Sequence, residues 1–163
     1  MRCRLLERSL TVRGADATVP GDQTGAMDQR SGPPPADRVR LLIADDDRLF
    51  AEMLRAALSK HDAIDVIGIA HDGHAAYELT RELEPAVVLM DANMPGVNGY
   101  EATRLIRRLP RPPTVVFISG ADAGQVNARA LDAGASAYFK KTDDLAALME
   151  FVAAWADVHA LLT

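Results

Sequence analysis

From Val39 onward, five short apolar runs alternate with five stretches of helical periodicity, joined by connections of only a few residues. The runs are VRLLIA (39–44), DVIGIA (65–70), AVVLM (86–90), TVVFIS (114–119) and AYFK (137–140). Each is rich in β-branched or aromatic residues and too short for a buried helix, so each reads as a strand. The intervening stretches read as helices over 48–60, 74–83, 99–108, 122–133 and 144–161. The first has Phe50, Met53, Leu54, Ala57 and Leu58 on one face; the last has Leu145, Leu148, Met149, Val152 and Trp155. Hairpins cannot join parallel strands, whereas helical crossovers can. Strict alternation therefore predicts an α/β domain with a parallel sheet and helices on both faces. No internal repeat is visible.

The first 38 residues lack this pattern. After Leu10 they are short of large apolar side chains and rich in Gly, Pro, Asp and Thr, ending in SGPPPADR. Residues 1–38 read as a disordered tail with a stiff Pro-rich linker, and 39–163 as the folded domain. Met27 just upstream of the linker is an alternative start, which would make the first 26 residues an artefact; peptides from that stretch in the native protein would exclude it. Of the net charge of −5, residues 1–38 contribute +1 (six Arg against five acids), leaving −6 on the domain. An acidic domain without a basic cluster is a poor nucleic-acid binder. One cysteine, Cys3, excludes an internal disulfide and fits a reducing cytoplasm. No apolar run has membrane-spanning length, and Arg and Glu interrupt the N-terminus too often for a secretory signal.

In open α/β sheets, ligands bind beyond the carboxyl ends of the strands. The first strand runs into Asp45-Asp46-Asp47, the third into Asp91 and then Asn93, the fourth ends on Ser119, and the fifth runs into Lys140-Lys141. Singly, each has an ordinary explanation: an Asp or Ser after a strand is usually a turn or helix-cap residue, and a Lys pair a solvated loop. Together they deliver acid, acid, hydroxyl and amine to one edge. Clustered carboxylates repel one another unless a cation sits among them, and a small set of hard oxygen ligands suits Mg²⁺ rather than zinc. His61, His71, His74 and His159 are too scattered to compete as ligands. A metal, an amine and a hydroxyl around a carboxylate are the parts that receive a phosphoryl group, a transfer governed by positioning and charge neutralisation. A carboxylate with an ordinary pKa of about 4 is already ionised at neutral pH.

With these residues in view, the chain from about residue 39 to its end resembles the receiver domain of two-component response regulators (CheY-like). LLIADDD resembles the acidic first strand of that family, VVLMDANMPGVNG the phosphorylation strand and loop, VVFISGA the fourth strand, and AGASAYFKK the fifth. The wording DVIGIAHDG and MPGVNGYEATRLIR is similar to the NarL/FixJ-type receivers, which usually carry a helix-turn-helix output domain. The resemblance implies a flavodoxin-like, doubly wound, three-layer αβα fold with strand order 2-1-3-4-5. It implies Asp91 as phosphoacceptor, Asp46 as direct Mg²⁺ ligand, Asp45 as the acid holding the metal through water, and Asn93 as the backbone-carbonyl ligand. Ser119 and Lys141 would bind phosphoryl oxygens, and Tyr138 would be the aromatic that changes rotamer. Counting from Gly134 in the family pattern selects Lys141 over Lys140. The implied partners are a sensor histidine kinase or phosphotransfer protein and an output protein, reached through the surface of the fourth helix, fifth strand and fifth helix. That surface could also form a homodimer.

Three features depart from the family pattern. Thr142 stands where Pro often follows the Lys through a cis bond; a cis bond without Pro costs about 3–4 kcal/mol, so a trans or adaptable loop is expected. Gly120 and Ala121 leave the phosphoryl side open, implying ordinary to fast loss of phosphate. Only one helix follows Lys141, leaving no room for an output domain within these residues. The competing readings are the receiver part of a truncated DNA-binding regulator and a haloacid-dehalogenase-like aspartyl-phosphate phosphohydrolase. The latter family places its nucleophile on the first strand as D-x-D, a spacing that DDD lacks.

Overall fold

The computed structural model describes residues 38–120, 123–141 and 145–160, with the side chains at 123–126 and 159–160 outside the description. The tail and linker reading of 1–38, the alternative start at Met27, the Lys141–Thr142 bond and Ala121 fall outside these residues. The elements are β1 (Val39–Ala44), α1 (Arg48–Leu58), β2 (Ile64–Ala70), α2 (Gly73–Leu83), β3 (Val87–Asp91), α3 (Gly99–Ile106), β4 (Thr114–Ser119), α4 (Ala123–Ala133), β5 (Ala137–Lys140) and α5 (Leu145–Ala160). All four strand pairings are parallel, in the order β2-β1-β3-β4-β5. This is the flavodoxin-like α/β fold. The strand order reverses direction at β1, so the crevice beyond β1 and β3 is where such sheets bind ligands.

Both faces of the sheet are covered, which is why the strands read as continuous apolar runs. On one face Leu42, Ala44, Val88, Met90, Val115 and Phe117 pack against Ala76 of α2, Tyr100, Ala102 and Ile106 of α3, and Ala130 and Ala133 of α4. On the other, Leu41, Ile43, Leu89, Val116 and Ile118 pack against Ala51, Leu54 and Leu58 of α1 and Leu148, Val152 and Ala156 of α5. The α1 stripe differs from the expected face: Ala51 is fully buried while Met53 is 46% exposed. The 51-54-58 spacing points at the sheet, and Met53 lies one residue, about 100° of helix, away from Leu54. In α5, Leu145, Met149 and Trp155 are partly buried around the core stripe, and the apolar residues Leu161 and Leu162 fall outside the described residues.

Each of the first three helices starts on a side-chain cap that the sequence supplies. Asp47 Oδ1 accepts from the backbone N–H of Leu49 and Phe50, Asp72 Oδ1 from Ala75, and Asn98 Oδ1 from Glu101. Such caps satisfy donors that the first turn leaves open. Helix α3 also begins against the strand it follows: a Cβ at Gly99 would lie 2.0 Å from the carbonyl oxygen of Asp91. Only a residue without a side chain permits that approach. Gly99→Ala is therefore expected to destabilise the domain by about 1–3 kcal/mol or more, read as a lower urea midpoint at unchanged slope. An unchanged midpoint would mean that α3 does not start this close to the strand.

Candidate functional site

Three of the expected residues reach the same face of the sheet by strand alternation. Ile43, Leu89 and Phe139 all belong to the α1/α5 face. Two residues further along each chain segment stand Asp45, Asp91 and Lys141, and a step of two keeps a side chain on the same face. Lys141 Nζ lies 2.7 Å from Asp45 Oδ2 and 3.4 Å from Asp91 Oδ2. Asp46 brings a third carboxylate: ligand oxygens of Asp45, Asp46 and Asp91 all lie within 4.8 Å of one another. The three adjacent acids after β1 divide their work. Asp45 is buried in the cluster, Asp46 is exposed at its rim, and Asp47 caps α1.

The electrostatics are those of a site short of positive charge. Burial pushes the Asp91 carboxyl up to about 6; Lys141 opposes the rise, Asp45 adds to it, and the backbone of Asn93 partly offsets it by hydrogen bonding. Burial likewise raises Asp45, against the pull of Lys141 and of the Asp47 backbone N–H, which donates to Asp45 Oδ1 at 2.9 Å. Burial alone would lower Lys141, but Asp45 and Asp91 outweigh it and raise the amine above its ordinary value. The expectation of an unperturbed Asp91 is thus corrected: it is largely, not wholly, ionised at neutral pH, because the strand end that carries it is buried.

Three carboxylates and one ammonium leave a formal charge of −2. Asp45 Oδ2 is buried with Lys141 Nζ as its partner at 2.7 Å. A compact all-oxygen donor set with this excess of negative charge fits a hard divalent cation.

The remaining expected residues lie on neighbouring segments of the chain. Ser119 is fully buried at the end of β4, the strand beside β3, and its carbonyl accepts from the Lys141 N–H at 3.0 Å. Asn93 is exposed, two residues past Asp91. Tyr138 is not among the clustered side chains: it is half-buried against the α2/α3/α4 face, paired in register with Phe117. Two neighbours of the cluster had no sequence signal. His71 Nδ1 lies 2.9 Å from the carbonyl oxygen of Asp45. The Phe50 ring of α1 lies 4.7 Å beneath Lys141 Nζ.

The sequence model of the response regulator receiver domain matches residues 41–153. The chain belongs to that family. It is 39% identical over 117 residues to the transcriptional regulatory protein DegU of Brevibacillus brevis, covering 71% of this chain and 49% of that one. It is 35% identical over 114 residues to the response regulator GacA of Pseudomonas viridiflava, covering 70% and 53%. It thus spans about half the length of these relatives. Among solved structures, the signal receiver domain of NarL from Mycobacterium tuberculosis superposes with a TM-score of 0.68 at 33% identity, covering 74% of this chain and 97% of that one. A LuxR-family response regulator from Aurantimonas sp. gives 0.69 at 31% identity, covering 74% and 86%. Among the described residues, no helix is long and apolar enough to cross a membrane.

Proposed function

We propose that this receiver takes a phosphoryl group onto Asp91 from a phosphohistidine of a sensor histidine kinase or phosphotransfer protein in the cytoplasm, and passes the signal on by binding another protein. The observation that carries the reading is the convergence of Asp45, Asp46 and Lys141 on Asp91. In the transfer an Asp91 carboxylate oxygen bonds to phosphorus while the P–N bond breaks, its electron pair returning to the imidazole. Asp45, Asp46, Asp91 and the Asn93 carbonyl would hold Mg²⁺, which when bound neutralises charge on the transferring group. Lys141, already within 3.4 Å of Asp91, and Ser119 would bind the new phosphoryl oxygens. Drawing Ser119 toward them would bias Tyr138 and α4 between two arrangements, changing the α4-β5-α5 surface read by the output protein or by a second copy. Uptake of one phosphate per chain from an acyl-phosphate donor with Mg²⁺ is expected. Steady turnover of a phosphate monoester would favour the phosphohydrolase instead.

Sequence beyond these residues that encodes a helix-turn-helix domain would make this the receiver part of a transcription factor, a reading kept open because the match covers only about half of each relative. The lifetime of the phosphate is also expected to be limited. Among the described residues nothing lies within 4 Å of a Cβ built at Gly120, which supports the open phosphoryl side expected from a glycine at the end of β4. Phosphorylated protein freed of donor is expected to lose its label well within hours, and a half-life of many hours would count against an open site.

A further inference from the structure

We propose that Phe50 is a positioning residue for Lys141, its ring face holding the ammonium beside Asp91; this rests on the phosphoacceptor reading above. Lys141 projects from the end of β5, two strands away from β3, on a flexible four-carbon stem with a large rotamer entropy to lose. Among the described residues, three groups meet its ammonium: Asp45 Oδ2 at 2.7 Å, Asp91 Oδ2 at 3.4 Å and the Phe50 ring centroid at 4.7 Å. The two carboxylates are shared, since in the proposed reading both also face the metal and Asp91 takes the phosphoryl group. The ring is the partner that takes no part in holding metal or phosphate. An aromatic face attracts a cation through its quadrupole, and more so where water is thinned; here Lys141 is 18% exposed.

The ring itself is well placed to do this. Phe50 sits in the first turn of α1, its backbone N–H donating to Asp47 Oδ1 at 3.1 Å, and its side chain packs partly buried against the α1/α5 core. The cap that starts the helix therefore also fixes the wall under the amine. Loss of the ring face is expected to leave Lys141 more often away from Asp91, slowing transfer without removing any group that contacts phosphate.

The test compares wild type with Phe50→Leu, Phe50→Tyr and a protein carrying pentafluorophenylalanine at position 50, which keeps the ring's shape but reverses the potential of its face. With acetyl phosphate and Mg²⁺, the leucine and fluorinated forms are expected to take up phosphate roughly 3- to 20-fold more slowly, and the tyrosine form at the wild-type rate. In urea unfolding without metal, Phe50→Leu is expected to cost less stability in a Lys141→Met background than in wild type. A fluorinated protein that takes up phosphate at the wild-type rate overturns the proposal, because an apolar wall alone would then suffice. Equal unfolding costs in the two backgrounds overturn it as well. If wild type takes up no phosphate at all, the phosphoacceptor reading fails and the positioning role with it, whereas wild-type uptake with normal fluorinated protein sinks only the role of Phe50.

Discussion

Asp91→Asn is expected to take up no phosphate from an acyl-phosphate donor under conditions where wild type acquires one per chain. The substitution keeps the shape of the side chain and replaces the attacking oxygen's charge with a neutral amide, so the phosphorus meets no competent nucleophile. Two other carboxylates stand nearby, and the structure argues against either as a substitute. Asp45 is 1% exposed and committed to Lys141 at 2.7 Å. Asp46 is exposed at the rim of the cluster, and the amine that would neutralise an incoming phosphoryl group lies on Asp45 and Asp91 instead. Loss of that electrostatic stabilisation typically costs two or more powers of ten in rate. Intact-mass measurement of the two proteins after equal exposure checks the result; a label of comparable yield on the Asn variant would place the acceptor elsewhere.

Much of this site is legible in the chain before any coordinates. The apolar runs and the acid, acid, hydroxyl and amine at the ends of four of the strands are local features, and strand bounds read from the runs agree with the structure within a residue. The site residues follow because a parallel sheet gathers all its strand ends on one edge, whatever the sequence separation between them. What stayed hidden depends on tertiary distance or burial. Phe50 looks like one more apolar position at helical spacing; its contact with a lysine 91 residues later exists only once β5 lies across the sheet from α1. His71 carries no distinctive signal in sequence, one of four scattered histidines. Asp72 beside it caps α2, while the imidazole turns back to the β1 end at Asp45. Met53 shares a helical stripe with Leu54 in sequence, but such a stripe has no sharp edge, and the sheet's position decides which side of it is covered. The raised pKa of Asp91 belongs to the same group, since composition does not show how deeply a strand end is sunk.

That raised pKa leads to the second large effect, on stability rather than on transfer. In the unfolded chain Asp91 has an ordinary carboxylate pKa near 4, and in the folded protein burial lifts it to about 6. A carboxyl with a folded value above its unfolded one contributes stability that is fully present below pH 4 and lost as pH rises through about 6. Two units correspond to roughly 3 kcal/mol at most, with Asp45 raised in the same direction. The metal-free protein is therefore expected to carry a charge penalty at pH 7.5 that Asp91→Asn lacks. Without Mg²⁺, the Asn variant should melt several degrees above wild type at pH 7.5, and most of the gap should close at pH 4.5, where folded wild-type Asp91 is protonated. Millimolar Mg²⁺ should narrow the gap at pH 7.5 by binding the folded wild type, a concentration ten times the Kd contributing about 1.4 kcal/mol, and do little at pH 4.5, where Asp91 is protonated. Wild type more stable than Asp91→Asn at pH 7.5 in chelator would mean that Lys141 already balances the cluster. The case for a metal at these three acids would then lose its electrostatic basis.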